Sequence, residues 1–200
     1  MSATSQRSRF KAEKARAIAA EVCDALRPHC VRIEVAGSLR RGCPTVGDVE
    51  IVYVPAIEVR PDPESMFGTI EVNAADAAIA ELERTGVLAR RLNSAGQETF
   101  GQLNKLMRHG ASLVPVDLFA TTLENWWNCL VMRTGPAELN ARIASTALGR
   151  GWNWKTYGRG FTRQVPLAGE AITEHVVRSE REVFSFVGIP YLEPHERNSQ

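Results

Sequence analysis

Between Val35 and Val54 the chain reads VAGSLRRGCPTVGDVEIVYV, which packs a Gly-Ser turn, two arginines and two carboxylates into residues 37–50, the composition of a site rather than of a plain surface. Its second half, DVEIVYV, concentrates β-branched and aromatic residues over a span too short for an ordinary helix. Closed by Pro55, it predicts a strand. Upstream, Val31–Ala36 (VRIEVA) predicts a second strand, which runs directly into Gly37-Ser38. Side chains two apart on a strand point the same way, so Asp48 and Glu50 present their carboxylates side by side. Such a pair resists joint ionisation unless a cation lies between its members. A hard divalent ion, Mg²⁺ or alternatively Mn²⁺, takes oxygen ligands and keeps waters in its shell, which suits this pair. Gly37 lets backbone N–H groups approach an anion, Ser38 adds a hydroxyl, and Arg40 and Arg41 bring charge for phosphate oxygens. These residues predict a triphosphate cradle beside a metal site.

The rest of the chain supplies a scaffold for that site. Its 200 residues fit one large domain or two small ones with a real core. A net charge of +1 gives no global basic field, so any nucleic-acid contact must come from a local patch. Cys23, Cys30, Cys43 and Cys129 have no C-x-x-C or zinc-like spacing, which predicts free thiols in a reducing compartment. With no apolar run of membrane-spanning length and no signal peptide, the expectation is a cytoplasmic protein.

In order, Phe10–Leu26 has helical periodicity ended by Pro28, and 55–68, rich in Pro and acids, predicts a loop. Asn73–Thr85 predicts a helix capped by Asn73 and stopped by Gly86. Val87–Leu92 and Thr99–Met107 predict strands carrying Arg90, Arg91, Lys105 and Arg108, either a phosphate-tracking stripe or a solvated, charge-blunted edge. In LVPVDLFATT (113–122) the interior Asp117 is an acid in an apolar strand, and it predicts a third ligand for the site begun by Asp48 and Glu50. From Glu124 the composition changes, and Trp126-Trp127 predict a packing hinge. Trp152–Arg163 predicts a hairpin whose Lys155, Arg159 and Arg163 lie among aromatics, as beside a nucleic-acid strand or in simple hairpin packing. Ser179 opens a final helix.

The string GSLRRGCPTVGDVEI resembles the signature of the family X DNA polymerases, the DNA polymerase beta-like nucleotidyltransferases, in which a GS-x-RRG run leads through a GD-x-D pair. Glu50 stands where that family usually carries aspartate. The ending GIPYLEPHER and the context VDL around Asp117 extend the resemblance over residues 10 to 197. It implies an α+β fold: a palm with a mixed sheet and covering helices over 9–123, then a small α/β thumb over 124–200. No lyase or helix-hairpin-helix domain is expected, a minimal form also known from phage and prophage nucleotidyltransferases.

The resemblance further implies that Asp48, Glu50 and Asp117 hold two Mg²⁺ ions and that Gly37, Ser38, Arg41 and Gly47 hold the triphosphate. Thr134 and Gly135 would flank the sugar, and Asn140 would face the base edge. Met132 and Arg133 replace the usual aromatic pair at the sugar, Ala144 replaces an arginine, and Pro115 replaces a basic residue two before Asp117. Arg40, Lys105, Arg108, Lys155, Arg159 and Arg163 are candidate DNA contacts. The implied activity is addition of nucleoside monophosphates from a dNTP or NTP to the 3′-hydroxyl of a DNA primer or gap, by a monomer, in repair or phage DNA metabolism. Two alternatives stay open: transfer to RNA, protein or a small molecule, and a catalytically weak DNA- or nucleotide-binding module.

Overall fold

A computed structural model describes residues 8–65, 67–164 and 172–199. The chain opens with β1 (Phe10–Lys11) and α1 (Ala12–Leu26), a 3₁₀ turn (Arg27–His29), β2 (Cys30–Val35) and the one-turn α2 (Gly37–Arg40). There follow β3 (Thr45–Val46), β4 (Val49–Pro55), β5 (Ile57–Pro61), β6 (Thr69–Asn73) and α3 (Ala74–Arg84). The first lobe ends with β7 (Leu88–Arg90), β8 (Asn104–His109) and β9 (Pro115–Ala120). The second lobe holds α4 (Trp126–Thr134), α5 (Ala137–Gly149), β10 (Asn153–Trp154), β11 (Gly160–Gln164), β12 (Ile172–Val176) and α6 (Glu180–Val187), closed by a 3₁₀ turn (Pro194–Ser199).

The first lobe is a mixed five-stranded sheet in the order β2-β4-β9-β8-β7, antiparallel except where β4 and β9 run parallel. Strand alternation divides it into two faces. Ile51, Tyr53, Met107 and Leu118 enter a core with Ile18, Val22 and Leu26 of α1 and Ile79 of α3. Val52, Val54 and Phe119 meet Trp126, Cys129 and Leu130 of α4 on the other face. Glu50 and Asp117 share that second face, at the end α4 leaves uncovered.

The tryptophan pair is therefore packing material. Trp126 is buried in α4, and the Arg32 guanidinium lies over both Trp126 (4.3 Å) and Trp127 (4.5 Å). The second lobe packs Leu139 and Ile143 of α5 against Phe161, Phe184 and Val187 beside the antiparallel sheet β10-β11-β12. Asn73 caps α3 by accepting from the Ala75 N–H, and Ser179 caps α6 by accepting from the Glu182 N–H.

The segment expected to be a plain loop after Pro55 contains a hairpin. β5 and β6 pair antiparallel, with Ile57 opposite Asn73 and Pro61 opposite Thr69. Proline and acid content concealed a short alternation, Ile57-Glu58-Val59-Arg60, that lies wholly at the surface.

The lobes are joined through a buried ion triad. Arg40 donates to the Thr134 hydroxyl at 2.8 Å and to Glu180 Oε1 at 2.5 Å, while Arg197 donates to Glu180 Oε2 at 2.5 Å. Arg40 is thus a structural clamp rather than the DNA contact expected of it, because both of its partners belong to the second lobe. Burial opposes ionisation of Glu180, yet the Arg40 and Arg197 hydrogen bonds hold its carboxyl below the usual range. Its contribution is full above the carboxyl's unfolded pKa and is lost as pH falls through the depressed folded value. Replacing Glu180 by Ala strands the fully buried Arg197 and is expected to cost about 3–5 kcal/mol in urea unfolding, with Glu180→Gln less damaging.

Candidate active site

The site starts from Gly37. The Ala36 N–H donates to the Glu50 carbonyl at 2.8 Å, tying the end of β2 to the start of β4, and the chain then enters α2 with Gly37 at φ +61°. A Cβ on Gly37 would stand 1.9 Å from Glu50 Oε2. Glycine is required both by the backbone angle and by the carboxylate folded over it. The Cys43 N–H donates back to the Ser38 carbonyl at 3.0 Å, closing the turn that delivers Arg41.

The parallel register of β4 and β9 sets Glu50 directly opposite Asp117, and Asp48 immediately precedes β4. All three carboxylates line one open cleft of about 1070 Å³. Ser38, Arg41, Gly47, Arg91, Arg133, Gly135 and Asn140 also line it.

Burial and the Asp48 and Asp117 charges push the Glu50 carboxyl up to about 8, against the pull of Arg133 and Arg41. The Asp117 carboxyl is raised chiefly by burial, with Arg91 opposing and Asp48 adding to the shift. Among the described residues no three His, Cys, Asp or Glu side chains are gathered into a cation cage. Glu50 leans over Gly37, and Asp117 accepts a 2.5 Å hydrogen bond from Arg91. The donor set still fits a hard divalent ion: oxygen ligands, open to solvent on one side, whose mutual repulsion a bound cation would relieve.

The structure separates the other expected site residues. Ser38, Gly47, Gly135 and Asn140 reach the cleft, although the Asn140 amide already donates to the Met132 carbonyl at 2.7 Å. The Thr134 side chain is fully buried and its hydroxyl accepts from Arg40, so Thr134 does not line the cleft. Arg41 reaches the cleft while donating to the Thr134 carbonyl and, at 2.8 Å, to Asn198 Oδ1. Its remaining N–H groups are those available to a phosphate.

The basic stripe along β7 and β8 does not exist as one surface. Alternation sends Arg90 and Lys105 to the helix-covered face, where Arg90 binds Glu83 and the buried Lys105 binds Asp76 at 2.9 Å. Lys105 is thereby removed from the DNA contacts, and Arg108 stays exposed at the end of β8. In the second lobe Arg159 pairs with Glu124 and Glu174, and Arg163 lies over Trp152 at 4.7 Å. Lys155 is exposed. Ion pairing to Glu174 of β12 and to Glu124 ahead of α4 accounts for Arg159 without a nucleic acid.

Arg133 is the residue whose role sequence reasoning missed. Its guanidinium lies over the Phe119 ring at 3.7 Å, donates to the Tyr157 hydroxyl at 3.3 Å, and draws down both Glu50 and Asp117. The departure from an aromatic pair at positions 132–133 was its only signal.

Two family models account for most of the chain. The DNA polymerase beta palm model matches residues 8–122 and the DNA polymerase beta thumb model matches residues 129–198. One relative, DNA polymerase lambda of Arabidopsis thaliana, is 28% identical over 182 residues. That alignment covers 84% of this chain and 32% of the relative, so the chain spans about a third of that protein's length. Among the described residues no helix is long and apolar enough to cross a membrane.

The Gly37–Glu50 contact yields a direct test of this geometry. Gly37→Ala is expected to destabilise the chain by about 1–3 kcal/mol from backbone strain alone, read by urea unfolding.

Proposed function

The chain belongs to the DNA polymerase beta family, the family X nucleotidyltransferases, and on that premise we propose that it transfers nucleoside monophosphates from a (d)NTP to the 3′-hydroxyl of DNA. The observation that carries this reading is the register that sets Glu50 opposite Asp117, with Asp48 at the same strand end beside the Gly37-Ser38 turn. Three acids and a phosphate-suited turn meet in one cleft.

In this reading Ser38, Arg41 and the Gly47 backbone hold the β and γ phosphates. Arg41 is oriented before the nucleotide arrives, since Asn198 and the Thr134 carbonyl fix its guanidinium. The cis peptide between Gly135 and Pro136 lies on the cleft wall where the sugar rests, and Asn140 stands at the first turn of α5 near the base. Asp48, Glu50 and Asp117 would hold two Mg²⁺ ions, which when bound would supply Lewis acidity toward the attacking hydroxyl and charge neutralisation toward the leaving pyrophosphate. Arg108, Lys155 and Arg163, all exposed, are the expected cations left for the DNA backbone. Acting on primer ends or gaps, the protein would serve DNA repair or phage DNA metabolism.

Because such catalysis is positioning and electrostatics, removing one ligand should be severe. Asp117→Ala is expected to lower Mg²⁺-dependent primer extension by about 10²–10⁴ while leaving the far-ultraviolet circular dichroism unchanged. Near-normal extension by that variant would take Asp117 out of the reaction. Parallel assays with gapped DNA, single-stranded DNA and RNA acceptors, each with labelled dNTPs and NTPs, identify the acceptor.

A further inference from the structure

Among the arginines of the cleft, Arg91 has its place set by the sheet itself. Arg91 follows β7 directly, and its backbone N–H donates to the Leu106 carbonyl at 3.1 Å. Leu106 pairs with Asp117, and Asp117 pairs with Glu50. Arg91, Leu106, Asp117 and Glu50 therefore make one transverse row, and the pleat turns their side chains to the same face. Reaching over Leu106, Arg91 Nη2 donates to Asp117 Oδ1 at 2.5 Å.

Both side chains are largely withdrawn from water, with 25% of Arg91 and 12% of Asp117 exposed. A charge-assisted bond in such a setting is weakly screened and directional. The contact does not follow from an arginine-rich edge, since the adjacent Arg90 points to the opposite face and binds Glu83 at 2.8 Å. Nor can Asp117's own strand supply the charge, because the residue two places earlier on the same face is Pro115.

We propose that Arg91 is the positioning residue of Asp117, reaching from the neighbouring end of β7 to fix the carboxylate's orientation where the attacking hydroxyl arrives. The assignment rests on the nucleotidyl-transfer reading and adds to it a residue outside the acids and the phosphate turn. Arg91 touches no reacting atom; it acts through Asp117. A misplacement of the acid by an ångström should cost rate and leave nucleotide binding, which depends on the Gly37–Arg41 turn, nearly untouched.

The test compares wild type, Arg91→Gln and Arg91→Lys in single-turnover primer extension, with dATP affinity measured separately in Ca²⁺. Arg91→Gln is expected to extend about 10²-fold more slowly with dATP affinity unchanged, and Arg91→Lys, which keeps the charge without the planar fork, to fall between. Thermal melts of Arg91→Gln, Asp117→Asn and the double variant should be non-additive, since the two side chains share one bond. Wild-type extension by Arg91→Gln, an equal loss in nucleotide affinity, or additive melts would each overturn the assignment. Should the wild type transfer no nucleotide to any acceptor, the transferase reading falls. The melts then decide by themselves whether Arg91 and Asp117 are coupled.

Discussion

Mutual repulsion among three carboxylates in one cleft is the constraint around which this molecule is organised. Burial and like charge raise Glu50 and Asp117 together, and nothing in an apolar core would select that arrangement. Arginines from three separate segments oppose those shifts. Arg91 comes from the end of β7, Arg133 from α4, and Arg41 from the turn after α2, while Arg9 near the start of the described chain lines the same cleft. Four arginines and four acids, Glu138 being the fourth, line this pocket and make it polar. Such a pocket suits a ligand that brings both phosphate and metal.

The two lobes are coupled through the same turn that builds the site. Arg40 and Arg41 are neighbours in sequence, yet Arg40 is absorbed by Glu180 and Thr134 and Arg41 is shared between the cleft and Asn198. Asn198 also donates to the Arg41 carbonyl at 2.9 Å, so the final turn braces the phosphate-suited arginine from both sides. Tyr157 makes a second bridge, its hydroxyl accepting from Asn104 of β8 at 2.7 Å and from Arg133 of α4. Movement of the second lobe would thus be felt at Arg41 and Arg133, the two cations that bear on Glu50.

Much of this was legible in the sequence because it rests on local pattern. The strand around Ile51, the caps Asn73 and Ser179, and the acid isolated among Val116, Leu118 and Phe119 each follow from neighbours a few residues away. What escaped is the product of pairing across the sheet. Arg90 and Arg91 are indistinguishable in the string LARRL, and only the pleat decides that one binds Glu83 and the other Asp117. Lys105 and Arg40 read as free charges because their partners, Asp76 and Glu180, lie 29 and 140 residues away in the chain. The hairpin after Pro55 was hidden by prolines that usually end strands and here flank them.

On the proposed function, Asp48, Glu50 and Asp117 close on divalent ions when a nucleotide is present. Calorimetric titration of Mn²⁺ into the protein saturated with a non-hydrolysable nucleoside triphosphate tests it most directly. Two ions per chain are expected in the wild type, and neither when Asp48 is replaced by Asn. Nucleotide binding that neither requires nor recruits Mn²⁺ would contradict it.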